Sequence, residues 1–106
     1  TIGPPDPDER PDLADELNGL AWSFYEEVTE PSALWMAVYW AKEALSYNPD
    51  DWHIWDTLGA LYYKLKRKKE AVEALSKAID LARAKGLSEE SYQETQALLE
   101  KAKALD

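Results

Sequence analysis

Asp50, Asp51, His53 and Asp56 place three carboxylates and the only histidine of the chain within seven residues. Side chains of these types hold divalent metals or shuttle protons. Their spacing serves neither purpose. With one histidine and no cysteine, the chain lacks the ligand set of a zinc site. The acids do not alternate as in a calcium loop, and no glycine turn lies among them. Acids at the start of a helix are expected from the helix dipole alone, so capping is the simpler reading. Glu26 and Glu27 are adjacent and point different ways on a helix, so they cannot flank a glycosidic bond as a catalytic pair. No serine sits in a nucleophile-elbow context, and no glycine-rich phosphate loop occurs. No catalytic residue, metal site or cofactor is expected, and the chain is not expected to be an enzyme.

The remaining chemistry is that of recognition. Five Trp, six Tyr and one Phe supply large apolar side chains with polar handles in only 106 residues. The formal net charge is −9, unevenly spread. Residues 1–30 hold nine acids against one Arg, whereas Lys64 to Lys69 is basic at all but Leu65. An acidic chain lacks the extended basic footprint that nucleic acid needs. It favours a basic or neutral partner, with solubility as the bland alternative. The basic run could bind an acidic partner or pair with the acidic first helix of another copy, or it could be a solvated turn. No apolar run approaches the roughly 18 residues of a membrane span. No basic segment followed by an apolar one marks a signal peptide. A start at Thr1 rather than Met is expected of a processed product or of an excised or engineered module.

These side chains need a frame, and its pattern is helical throughout. Residues 1–12 carry Pro4, Pro5, Pro7 and Pro11 with acids between, and read as a linker or tail. Leu13, Leu17, Leu20, Ala21, Phe24 and Val28 recur at three- and four-residue intervals, which predicts a first helix from Leu13 to Val28 with Asp12 as its N-cap. A second helix is expected from Ser32 to Tyr47, after Pro31. Its stripe of Ala33, Ala37, Ala41 and Ala44 permits close approach of a partner. A third spans Trp52 to Leu65 behind an Asp cap. Gly59 in its interior costs about 1 kcal/mol relative to Ala, which close helix packing would offset. A fourth spans Lys68 to Lys85 and stops at Gly86-Leu87. A fifth is capped by Ser88 or Ser91 and runs to Ala104. The fold class is therefore all-α, with five helices.

Trp55, Leu58, Gly59 and Tyr62 spell W-x2-L-G-x2-Y, followed by Ala71 nine residues on and Ala78 beyond it. This resembles a tetratricopeptide repeat. Residues 50–85 form the better match, with Leu75 where a bulky aromatic often stands and Arg83 in place of a closing proline. Residues 13–49 form a weaker first repeat ending at Pro49. Phe24 to Ala37 is four residues longer than Tyr62 to Ala71, and those residues are expected in a longer turn around Val28 to Ser32. Residues 88–105 look like a capping helix. The resemblance implies an α-α superhelix of antiparallel helical hairpins, and a module that binds proteins or peptides.

In such arrays the first helices of the hairpins line a concave groove. That places Asp15, Asn18, Trp22, Tyr25 and Glu26 on the groove, with His53, Asp56, Ala60, Tyr63 and Lys64. The predicted partner-binding residues are Asn18, Trp22, Tyr25, His53, Asp56, Tyr63 and Lys64. Trp22, Asp56 and Ala60 stand where a clamp for a terminal carboxylate would want polar or basic groups. A basic or hydrophobic peptide therefore fits better than an acidic one. The alternatives are an idle groove with Trp22 and Tyr25 packed internally, and a scaffolding or homodimer module joined through Trp35, Tyr39 and Trp52.

Overall fold

The computed structural model describes residues 10–105, with side chains from Leu13 onward. Among them the fold is all-α: five helices and no strand. Helix α1 spans Arg10–Glu27, α2 Pro31–Tyr47, α3 Trp52–Lys64 and α4 Lys68–Ala84. A 3-10 turn over Glu89–Tyr92 leads into α5, Gln93–Lys103. No described helix is long and apolar enough to cross a membrane.

Of the predicted linker, residues 1–9 lie outside the described residues, whereas Arg10, Pro11 and Asp12 are helical. Asp12 is therefore inside α1 and not its N-cap. Pro11 explains the earlier start, because a proline in the first turn gives up no hydrogen bond and presets a helical φ. At α3 the expected cap is present: Asp51 accepts a 2.9 Å hydrogen bond from the backbone N–H of His53.

Short turns fold α1 against α2 and α3 against α4 as antiparallel hairpins. Alanines form the first interface. Ala14 and Ala21 of α1 and Ala37, Ala41 and Ala44 of α2 are all fully buried. The expected longer turn in this hairpin is not there. Residues 28–30 link α1 to α2, and residues 65–67 link α3 to α4. Both are three residues long. The four additional residues are helical instead, one extending α1 and three opening α2 at Pro31. Extending a helix satisfies backbone groups that a longer turn would leave to solvent. It also carries Leu34, only 2% exposed, into the core.

The second interface is tighter. A Cβ placed on Gly59 would lie 2.5 Å from Leu75 Cγ and 3.1 Å from the Leu75 backbone nitrogen. Gly59 therefore marks a close approach between α3 and α4, as its place inside a helix predicts. Leu58, Tyr62, Ala71, Ala74 and Leu75 are buried around it. α3 is also the one helix that packs on all four others.

Two helix ends share one device. α4 stops at Gly86, φ +77°, with Leu87 N–H bonded back to the Ala82 carbonyl at 3.2 Å. α3 stops with Arg67 N–H on the Tyr62 carbonyl at 2.8 Å, but Lys66 fills the left-handed position at φ +62°. Neither Ser88 nor Ser91 caps α5 with its side chain. Ser91 N–H instead closes the 3-10 turn on Ser88 O, and Tyr92 is buried in one apolar cluster with Trp52. Trp52 is consequently 7% exposed, which corrects its expected place on an outer aromatic surface.

Two outcomes test this packing. Gly59→Ala is expected to lower stability by about 1–3 kcal/mol, overpacking outweighing a gain of about 1 kcal/mol in helix propensity. Leu75→Ala costs about 2–5 kcal/mol, but in that background the added methyl is expected to be neutral or stabilising. Urea unfolding of all four proteins closes the cycle, and equal penalties in both backgrounds would refute the contact. Lys66→Gly removes a side chain from a left-handed residue and is expected to raise stability by up to about 1 kcal/mol. An unchanged or lower unfolding midpoint would contradict this.

Candidate recognition groove

α1, α3 and α5 lie side by side. Ala14 of α1 shares a cluster with Ile54 of α3, and at the other end Lys64 Nζ donates to the Tyr25 carbonyl, so these two helices run parallel. Thr95 Oγ1 of α5 donates to Asp56 Oδ1 of α3 at 2.9 Å. The surface common to the three helices holds a depression of about 300 Å³. Trp22 and Tyr25 line it from α1, Asp56 from α3, and Glu94, Ala97, Leu98 and Lys101 from α5. A second depression of about 410 Å³ adjoins it through Asp56 and Glu94, and adds His53, Glu90 and Gln93. Sites for drug-sized ligands or cofactors occupy roughly 300–1,000 Å³ and are mostly enclosed. These open hollows suit side chains of a peptide better than a small molecule.

Helical periodicity explains the aromatic wall. Trp22 and Tyr25 are three residues apart on α1, and their rings meet at 4.9 Å with a 34° tilt. Both are half-buried. Lys64 lies 5.5 Å from the Tyr25 ring centroid, so its ammonium is shared between a carbonyl and a π face. Burial raises the pKa of the Tyr25 hydroxyl above its ordinary value, aided by the charges of Tyr63, Asp56 and Glu26.

Asp56 is the buried charge of the groove. Burial pushes its carboxyl above the usual Asp value. The Thr95 hydrogen bond and nearby His53 pull the other way, and Glu94 adds to the rise. Asp50, Asp51, His53 and Asp56 thus do not form one centre. Asp51 caps α3, Asp56 turns to α5, and His53 is exposed with its ring 4.1 Å from that of Trp52. Among the described residues no three acid, histidine or cysteine side chains converge as metal ligands.

The fold therefore brings together Trp22, Tyr25, Asp56 and, behind them, Tyr63 and Lys64. His53 sits in the adjoining hollow. Asn18 is half-buried one turn before Trp22, and its Oδ1 is buried with no hydrogen-bond partner. An unmet buried acceptor of this kind costs about 1–3 kcal/mol. The α5 contribution was missed by sequence reasoning. Glu94, Ala97 and Lys101 recur at helical intervals, but such a stripe reads equally as a solvated face until its neighbour is known.

No protein-family model, curated protein or solved structure matches this chain.

The pH dependence of Asp56 can be measured. Its folded-state pKa is raised, so the folded protein takes up this proton at higher pH than the unfolded chain does. The Asp56 charge therefore opposes folding at neutral pH, and the opposition fades as pH falls through the raised pKa. Asp56→Asn keeps an acceptor for Thr95 and removes the charge. It is expected to be more stable than the parent at neutral pH, with the difference shrinking on acidification. Urea midpoints that differ equally at both pH values would contradict this.

Proposed function

We propose that the chain is a protein–protein interaction module of the tetratricopeptide-repeat kind, which holds a basic or hydrophobic peptide across α1, α3 and α5. The observation that carries this reading is the half-open Trp22–Tyr25 pair set beside Asp56 and Glu94 in one depression. An aromatic wall gives a peptide apolar contact at low entropic cost. The acids select its charge. Leu58, Gly59, Tyr62, Ala71 and Ala78 of the repeat signature are all buried, with Trp55 half-buried, which supports the family reading.

The groove is acidic on balance. Asp56, Glu90 and Glu94 face it against Lys101, and Lys64 is already engaged by Tyr25. An acidic peptide tail would meet repulsion rather than a clamp. Self-association is a second reading, because Tyr39 and Trp35 of α2 are 66% and 40% exposed. Trp35 is partly covered, with the Arg67 guanidinium 5.4 Å from its ring centroid and the Tyr62 ring at 6.0 Å.

A peptide-array screen identifies ligands, and calorimetry on the best of them tests the groove. Trp22→Ala is expected to weaken binding about tenfold or more while leaving far-ultraviolet circular dichroism unchanged. Unchanged affinity, or a screen won by acidic peptides, would remove this reading. Light scattering at two concentrations addresses the second, since a concentration-independent monomer excludes it.

A further inference from the structure

The two ends of the helical array are unlike. At the α4–α5 end, a depression of about 480 Å³ is lined by Asp80, Arg83, Gln96, Glu100 and Lys103 around Ile79 and Leu99. Its charges are of both signs and partly paired, with Lys103 Nζ 3.2 Å from Glu100 Oε2 and Arg83 Nε 3.4 Å from Tyr92 Oη. That end is finished for water, as the terminal unit of a repeat array must be.

The α1–α2 end is not. The Phe24 and Trp40 rings meet edge to face at 4.9 Å and join the two helices at the margin of the core. Leu20 stands one turn before Phe24, and Met36 one turn before Trp40. Leu13 lies two turns before Leu20 on the same stripe. Leu13, Leu20 and Met36 are 40%, 44% and 56% exposed, so this edge is apolar and open. Its rim has one sign. Glu16 and Glu27 continue the Leu13–Leu20 stripe, and Glu43 continues the Met36–Trp40 stripe. Among the described side chains of α1 and α2 the only base is Lys42, whose ammonium instead lies over the Tyr62 ring at 5.9 Å.

We propose that this edge docks an amphipathic α-helix of a partner protein, with its apolar stripe on Leu20, Phe24, Met36 and Trp40 and its lysines or arginines facing Glu16, Glu27 and Glu43. Charge selects the occupant. A second copy stacked edge to edge would oppose the same three acids to themselves. Residues 1–9 carry three acids and no base, so their charge is wrong for this rim. An apolar stripe flanked by basic residues meets both requirements. The site is separate from the Trp22–Tyr25 groove, and neither reading depends on the other.

The test uses two synthetic helical peptides, one of Leu, Ala and Lys with the lysines flanking an apolar stripe, the other with Glu at every Lys. Calorimetry with the full chain is expected to show binding of the Lys peptide alone, weakened by added salt. Leu20→Gln and Met36→Gln alter exposed residues and should keep the fold, checked by circular dichroism. Each is expected to weaken the Lys peptide about tenfold, whereas Trp22→Ala leaves it unchanged. Equal binding of both peptides overturns the proposal. So does loss of binding in Trp22→Ala but not in Leu20→Gln, which assigns the peptide to the groove. A dimer by light scattering that Leu20→Gln dissolves overturns it in favour of a second copy.

Discussion

The close approach of Gly59 to Leu75 is the constraint on which the rest of the molecule depends. A helix gives up about 1 kcal/mol to carry a glycine in its interior, and here the missing side chain lets α4 seat its Leu75 directly against the α3 backbone. α3 then becomes the axis of the fold, in contact with every other helix. Leu61, Ala60 and Ile54 are buried along it and bind it to its neighbours. Once α3 is pinned, Asp56 and Tyr63, three residues before and four after Gly59 on the same helix face, have defined positions, and Lys64 follows. The position of the candidate groove is a consequence of a packing contact on the same helix.

The groove is built by electrostatics as much as by shape. Asp56 is held in a largely buried place by a single neutral hydroxyl, and burial outweighs that hydrogen bond in its pKa. A charge kept under such conditions opposes folding. It also offers a cation more attraction than an exposed carboxylate would, because less water screens it. Lys64 shows the complementary economy. One ammonium bonds a carbonyl and lies over an aromatic face of α1, and so ties the two parallel helices together at their C-terminal ends.

Much of the frame was legible residue by residue. Apolar positions at three- and four-residue spacing located all five helices, Asp51 announced the start of α3, and Gly86 the end of α4. Gly59 was recognisable as a packing glycine because nothing else justifies its cost. Other points depended on context. The four surplus residues between Phe24 and Ala37 became helix because Leu34 finds a core there. Trp52 is buried in a cluster that Tyr92 of the 3-10 turn joins with Ala78, Ile79 and Ala82 of α4, and nothing in the local pattern of Trp52 foretells those neighbours. Lys66 takes a left-handed conformation that its residue type disfavours, because the closing hydrogen bonds of α3 require it.

Sequence alone determined the helices, their order and the acidic balance, because periodicity and charge are local properties written along the chain. Tertiary structure alone decided which of those residues meet. It brought α5 beside α3, so that Thr95 meets Asp56 and Glu94 and Lys101 complete the depression. It also buried Trp52 while leaving Leu20 and Met36 open. Contacts between residues distant in the chain follow from how helices stack, and stacking is settled by the fit of whole faces. No single stretch of sequence contains that fit.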